Sequence, residues 1–112
     1  MSQPFLKNIE FNQVLPFASL VEYQQGRVVS LTLAQKDFLS MTLFAFSKGE
    51  SISTHSSPGD AFVYILDGQA DIAVGMNTQT VKTGEAIVMP SDTPHGLTAT
   101  ENFKMLLIVV FK

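Results

Sequence analysis

Cysteine is absent from this 112-residue sequence, which removes disulfides, thiolate metal ligands and thiol nucleophiles together. Charge is scarce as well. Asp, Glu, Lys and Arg make up 15% of the residues, against roughly 25% in an average soluble domain. So few charged groups leave much of a small domain's surface apolar, and a second copy of the chain is expected to bury part of it, giving a homodimer. Seven basic and ten acidic side chains give a net charge of −3, with no cluster of Lys or Arg, which argues against a nucleic-acid partner. No apolar run approaches the roughly 20 residues that cross a bilayer. The first residues lack the basic and apolar regions of a secretory signal, so no membrane partner and a cytoplasmic location are expected. Histidine is nearly missing too: His55 and His95 are the only two.

What is present is a succession of short β-rich runs broken by turn residues, in a length that suits one domain. Residues 28–33 and 39–46 are followed by a turn at Lys48, Gly49 and Glu50, and residues 51–57 form a polar extended segment. Pro58, Gly59 and Asp60 turn the chain into residues 61–66. Asp67 and Gly68 then carry the signal of a tight hairpin, with residues 69–75 as the returning strand and Ala70, Ile72 and Val74 on one face. Met76, Asn77 and Thr78 read as a turn, residues 79–82 as a short strand, and Thr83, Gly84 and Glu85 as the turn into residues 86–89. A rigid loop from Pro90 to Pro94 precedes strands at 95–99 and 103–111, the latter apolar on both faces from Met105 and read as buried on both sides. Turns every eight to twelve residues or so predict an all-β sandwich or barrel over residues 28–112. Residues 1–27 have no clean period, and Pro16 opposes a long helix; they are expected to form an irregular arm with an edge strand or a helical turn.

Each histidine follows a glycine-led turn. Gly49 precedes His55 by six residues, with Ser57 and Gly68 beyond it, and Gly84, Pro90 and His95 form a second group. In these two segments the chain resembles the cupin superfamily, whose members are double-stranded β-helix, or jelly-roll, barrels. The resemblance extends over most of residues 28–111. It implies a lumen in which His55 and His95 meet. It also implies a divalent metal, iron, manganese, zinc or nickel, held in typical members by three histidines and a glutamate. Of those four positions the chain keeps His55 and His95; Ser57 stands for the second histidine and Ala61 for the glutamate, while Asp92 replaces an inner glycine and Ala99 an asparagine.

Open transition-metal sites usually take three or more protein ligands. Asp60, the nearest acid, lies one residue from the vacant position and by strand parity points the other way; a role in its own turn, bonding nearby backbone, is the simpler expectation. Ser57 shares the parity of His55 and offers a hydroxyl. Without a carboxylate to orient the imidazoles, acid–base catalysis by the pair is weakly supported. Val63 and Ile65 are expected to face the lumen and Phe62, Tyr64 and Leu66 the outside, under the partner subunit. Phe44, Phe46, Phe62, Tyr64 and Met89 offer an aromatic pocket wall as one reading, and filling of the inner faces or the dimer interface as the commoner one. Glu50, Glu85 and Glu101 read as solvated charges, and Asp92 as a loop residue near the pocket mouth.

Three functions follow. The first is a barrel binding a small molecule through His55, Ser57 and His95. The second, implied by the resemblance, is a metal-dependent oxygenase, isomerase or decarboxylase using His55 and His95. The third is a dimerisation module with a vestigial pocket.

Overall fold

The computed structural model describes residues 4–112. Nine strands, β1 (Val28–Gln35), β2 (Leu39–Phe46), β3 (Ser51–His55), β4 (Asp60–Asp67), β5 (Gln69–Val74), β6 (Asn77–Lys82), β7 (Ala86–Met89), β8 (His95–Thr98) and β9 (Phe103–Val110), follow a short 3₁₀ turn at Phe17–Leu20. They form a five-stranded sheet in the order β1-β2-β9-β4-β7 and a four-stranded sheet in the order β3-β8-β5-β6. Every pairing is antiparallel.

Only β1–β2 and β5–β6 are hairpins; from β2 to β9 the other connections cross between the sheets, which is the winding of a jelly roll. The Asp67-Gly68 pair is therefore a corner and not the hairpin its residues suggest. β4 pairs with β7 and β9, whereas β5 pairs with β6 and β8. Gly68 turns this corner at φ +73, and a Cβ on it would lie 2.0 Å from the Asn102 carbonyl oxygen. A local turn signal carries no information about which distant strand completes the ladder, so the residues misdirect at this point. The β5–β6 turn is also tighter than expected. Val74 pairs with Asn77, leaving Gly75 and Met76 as the loop, with Gly75 at φ 59 as the first central residue.

Strand alternation builds the main core between the sheets. Val63 and Ile65 of β4, Ala70 and Ile72 of β5, and Phe103 and Met105 of β9 are buried there with Phe46. Phe46 stacks on Phe103 with ring centroids 4.7 Å apart. Each fully buried side chain of this size contributes roughly 1.5–3 kcal/mol relative to exposure.

A second cluster lies on the outer side of the five-stranded sheet, where Val21, Leu33, Leu43 and Ala45 are buried together with Phe17, Leu20 and Tyr23 packed around them. The segment before β1 thus covers half of that face. Its hold is polar as well as apolar. Tyr23 donates to Asp67 at 2.5 Å, the Lys104 ammonium donates to the Ala18 carbonyl at 2.7 Å, and the same ammonium stands 4.9 Å from the Tyr23 ring centroid. Burial, and then the Asp67 carboxylate, push the Tyr23 phenol well above its ordinary range.

The other half of the outer face is bare. Phe62 and Tyr64 of β4 are 39% and 36% exposed, and Val88 and Val110 are more so. β9 is central, between β2 and β4, but only Phe103 and Met105, on its inner side, are fully buried; Lys104 and residues 106–109 are half-buried and Val110 is exposed. The expected burial on both sides is not met: Lys104 and Leu106, on the outer side, are half-buried from the start of the strand, because the segment before β1 covers that side only in part.

Candidate functional site: a histidine pair at the mouth of an apolar lumen

The site depends on a break in strand register. Ser51 pairs with Thr98 and Ile52 with Leu97, but His55 pairs with His95. Between the second and third pairs β3 uses three steps and β8 two, so one extra residue is bulged out of β3 around Ser53 and Thr54. Ile52 and Leu97 both pack on the main core. Strict alternation from Ile52 would send Thr54 inward and His55 outward; the bulge reverses this and brings His55 beside His95. The imidazole centroids are 4.5 Å apart, with the ring planes inclined at 63°.

Gly96 makes room for the bulge. A Cβ at this position would stand 2.9 Å from the Ile52 carbonyl oxygen and 3.1 Å from the Thr54 nitrogen. Neither the bulge nor the role of Gly96 follows from the histidine spacing. The available signal was a glycine inside a strand, which commonly marks a bulge or a close backbone approach.

Both rings are anchored in the same way. His55 Nδ1 lies 2.9 Å from the Ser53 carbonyl oxygen, and His95 Nδ1 lies 3.0 Å from that of Thr93. A carbonyl oxygen only accepts, so each Nδ1 carries the proton. In the neutral rings Nε2 then presents a lone pair. The burial of the two differs: His95 is 8% exposed, while His55 is open to solvent at the rim rather than enclosed.

Ser57 completes the polar rim. It is half-buried, and its carbonyl accepts from the Asp92 backbone N–H at 2.9 Å, joining the segment after His55 to the loop before His95. Asp92 sits at φ 61, a backbone state that aspartate tolerates better than most residues. This explains how it occupies the position of a motif glycine. Its side chain belongs to an outer groove with Gly59, Asp60 and Ser91, not to the lumen. Asp60 lies in that groove too. Its carboxylate accepts from the Ser91 backbone N–H at 2.9 Å, a bond to a distant loop in place of the local turn bond expected of it.

Behind the rim lies a cavity of about 200 Å³, walled by Ile52, Ala61, Met89, Leu97, Met105 and Leu107 among others, with His55, Ser57 and His95 as its side-chain polar groups. The three residues singled out from the sequence thus border one cavity; of its methionine and leucine walls only Met89 was anticipated. Among the described residues no three His, Asp or Glu side chains gather as metal ligands. The methyl group of Ala61 lines the wall where a carboxylate would be needed. Two imidazoles and a hydroxyl do not fit a resident catalytic metal, which usually takes three protein ligands.

A two-sheet jelly roll with paired histidines at the mouth of an apolar lumen defines a cupin-type barrel. The Cupin domain family model matches residues 42–111, and the chain belongs to this family. It is similar over its whole length to a conserved protein of unknown function from Streptococcus pyogenes, with 43% identity, 98% of that chain covered and a TM-score of 0.97. A cupin superfamily protein from Desulfitobacterium hafniense is 34% identical, with 96% of this chain and 98% of that one covered and a TM-score of 0.91. A cupin 2 conserved barrel domain protein from Leptotrichia buccalis is 50% identical over 83% of this chain and 45% of its own, with a TM-score of 0.81. Comparison with curated proteins gives no match. Among the described residues, no helix is long and apolar enough to cross a membrane.

Proposed function

We propose that this cupin is a binding barrel for a small organic molecule, whose apolar body enters the lumen and whose polar end is held by His55, Ser57 and His95. The observation that carries this reading is the cavity itself: apolar walls meeting a polar rim confined to those three side chains. Pockets of this make-up are the usual form of small-molecule sites. Its volume of about 200 Å³ falls below the roughly 300–1,000 Å³ of drug-sized sites. It is somewhat larger than that of an engineered apolar cavity of about 150 Å³ that takes up benzene. The ligand is therefore of single-ring or short branched-chain size.

Thermal unfolding in the presence of small aromatic and aliphatic compounds tests the reading. A ligand at a hundredfold excess over its Kd adds about 2.7 kcal/mol, and the rise in melting temperature is expected to vanish in the His55→Ala/His95→Ala variant. A rise that persists in that variant, or none with any compound, counts against it and favours a vestigial pocket. Elemental analysis of the purified protein addresses the metal-dependent alternative. Near-stoichiometric metal in the wild type and none in the double variant would replace the binding reading with that one.

The partner inferred for the bare half of the outer face is a second copy of the chain. The support is the row of exposed Phe62, Tyr64, Val88 and Val110 on a protein with few charges to spread over it.

A further inference from the structure

We propose that the lumen selects molecules whose polar end donates hydrogen bonds, a phenol or an alcohol in preference to a carboxylate; this rests on the small-molecule reading above. The argument comes from the backbone. The Ser53 and Thr93 carbonyls hold the two Nδ1 atoms at 2.9 and 3.0 Å and, being acceptors only, fix the proton there. Each neutral ring thus has an acceptor in Nε2, the ring nitrogen away from its anchoring carbonyl. With the centroids 4.5 Å apart and both rings lining the cavity, a hydroxyl head group has an imidazole acceptor for its one proton.

Little at the rim offsets an anion. Among the described residues no Lys or Arg lines the cavity, and Ser57 supplies the one hydroxyl. A carboxylate would leave water, at a large desolvation cost, to meet two lone pairs. A donor head would satisfy an imidazole that the apolar walls otherwise leave to water.

Three ring compounds of similar size separate the cases: phenol, which donates; anisole, its methyl ether, which only accepts; and benzoate, an anion. Ligand titrations followed by NMR at about pH 8 give the order of affinity, while imidazole ¹⁵N shifts report the tautomers and check that both rings are neutral. Phenol is expected to bind about tenfold more tightly than anisole, the worth of roughly one net hydrogen bond, with benzoate weakest and both rings protonated at Nδ1. His95→Phe removes one acceptor while keeping a ring in place, and is expected to reduce the preference of phenol over anisole.

Benzoate binding more tightly than phenol, equal affinity for phenol and anisole, or a ring protonated at Nε2 would overturn this inference and leave the small-molecule reading standing. Failure of all three to bind would overturn this inference, and the small-molecule reading falls with it only if the aromatic and aliphatic compounds of the thermal test also give no rise in melting temperature. The tautomers and the order of affinity are read on the wild-type protein, so the test holds even if the variant does not fold.

Discussion

The carbonyl oxygen of Ile52 lies 2.9 Å from the point where a side chain on residue 96 would begin, an approach that Gly96 alone permits. Gly96 is not at positive φ, so alanine is acceptable to its own backbone and unacceptable to the neighbouring strand. Gly96→Ala is expected to keep the fold, lose about 1–3 kcal/mol through overpacking and displace His55 from His95. Urea unfolding and the loss of close proton contacts between the two imidazoles in NMR check both effects. Unchanged contacts would mean that the bulge does not depend on this glycine.

Two other glycines separate crowding from backbone strain. Gly68 and Gly84 both have positive φ, but a Cβ on Gly68 would collide with the backbone of Asn102 while one on Gly84 meets nothing within 4 Å. Gly84→Ala should cost about 1–2 kcal/mol, the price of a left-handed residue. Gly68→Ala should cost more than about 4 kcal/mol, in the range that marks a specific structural failure. Similar losses in denaturant midpoint would refute the corner assigned to Gly68.

Alkaline pH should loosen the segment before β1. Tyr23 is raised above its ordinary value by burial first and by Asp67 second. A free tyrosine ionises near pH 10. The stabilisation from Tyr23 is therefore complete below about pH 10 and is lost as pH rises from there through the higher folded value. Melting temperature between about pH 8 and 12 should fall along a limb that Tyr23→Phe makes shallower, from a neutral-pH stability lower by about 1 kcal/mol. Parallel limbs in the two proteins would dissociate the phenol from alkaline unfolding.

Position 61 offers a gain-of-function test. Ala61 lines the same cavity as His55 and His95, so Ala61→Glu adds a carboxylate to two imidazoles and completes a three-ligand set. Without metal the buried charge should destabilise the barrel by several kcal/mol; cobalt(II) should restore the melting temperature and give a visible absorption band that the wild type lacks. No band, or an equally strong one in the wild type, would contradict the account of why the native residues do not fit a catalytic metal.

Phe62 pairs with Val88 and with Ile108 across the bare half of the outer face. The Phe62→Lys/Val88→Lys variant should sediment as a monomer where the wild type sediments as a dimer, with the response to lumen ligands retained because both positions lie on the far side of the sheet. A wild-type monomer would remove the second copy as the occupant of this face.

Much of the barrel was legible because its cues are local. Glycines and prolines punctuate strands of the right length, and the alternation of Val63 and Ile65 with Phe62 and Tyr64 assigns inner and outer faces. Pairing is not local, so Asp67 and Gly68 read as a hairpin although their strands part into different sheets. The site is legible as residues and not as geometry. His55, Ser57 and His95 stand out, but the direction of His55 depends on one bulged residue that alternation cannot count. The chain before β1 has no period to read because much of it is irregular, and its contribution comes from single contacts by Val21, Tyr23 and Ala18.

The central place of β9 sets an order on assembly. Phe103–Val110 separates β2 from β4 and hydrogen-bonds to both, so until it is synthesised the larger sheet exists as two unjoined edges. A ribosome must release nearly the whole barrel before that gap can close, and the apolar margins of β2 and β4 wait in the open meanwhile, as expected of a fold dominated by pairings distant in the chain. The same strand supplies Met105 and Leu107 to the wall of the lumen, so the cavity has no complete wall until β9 is in place.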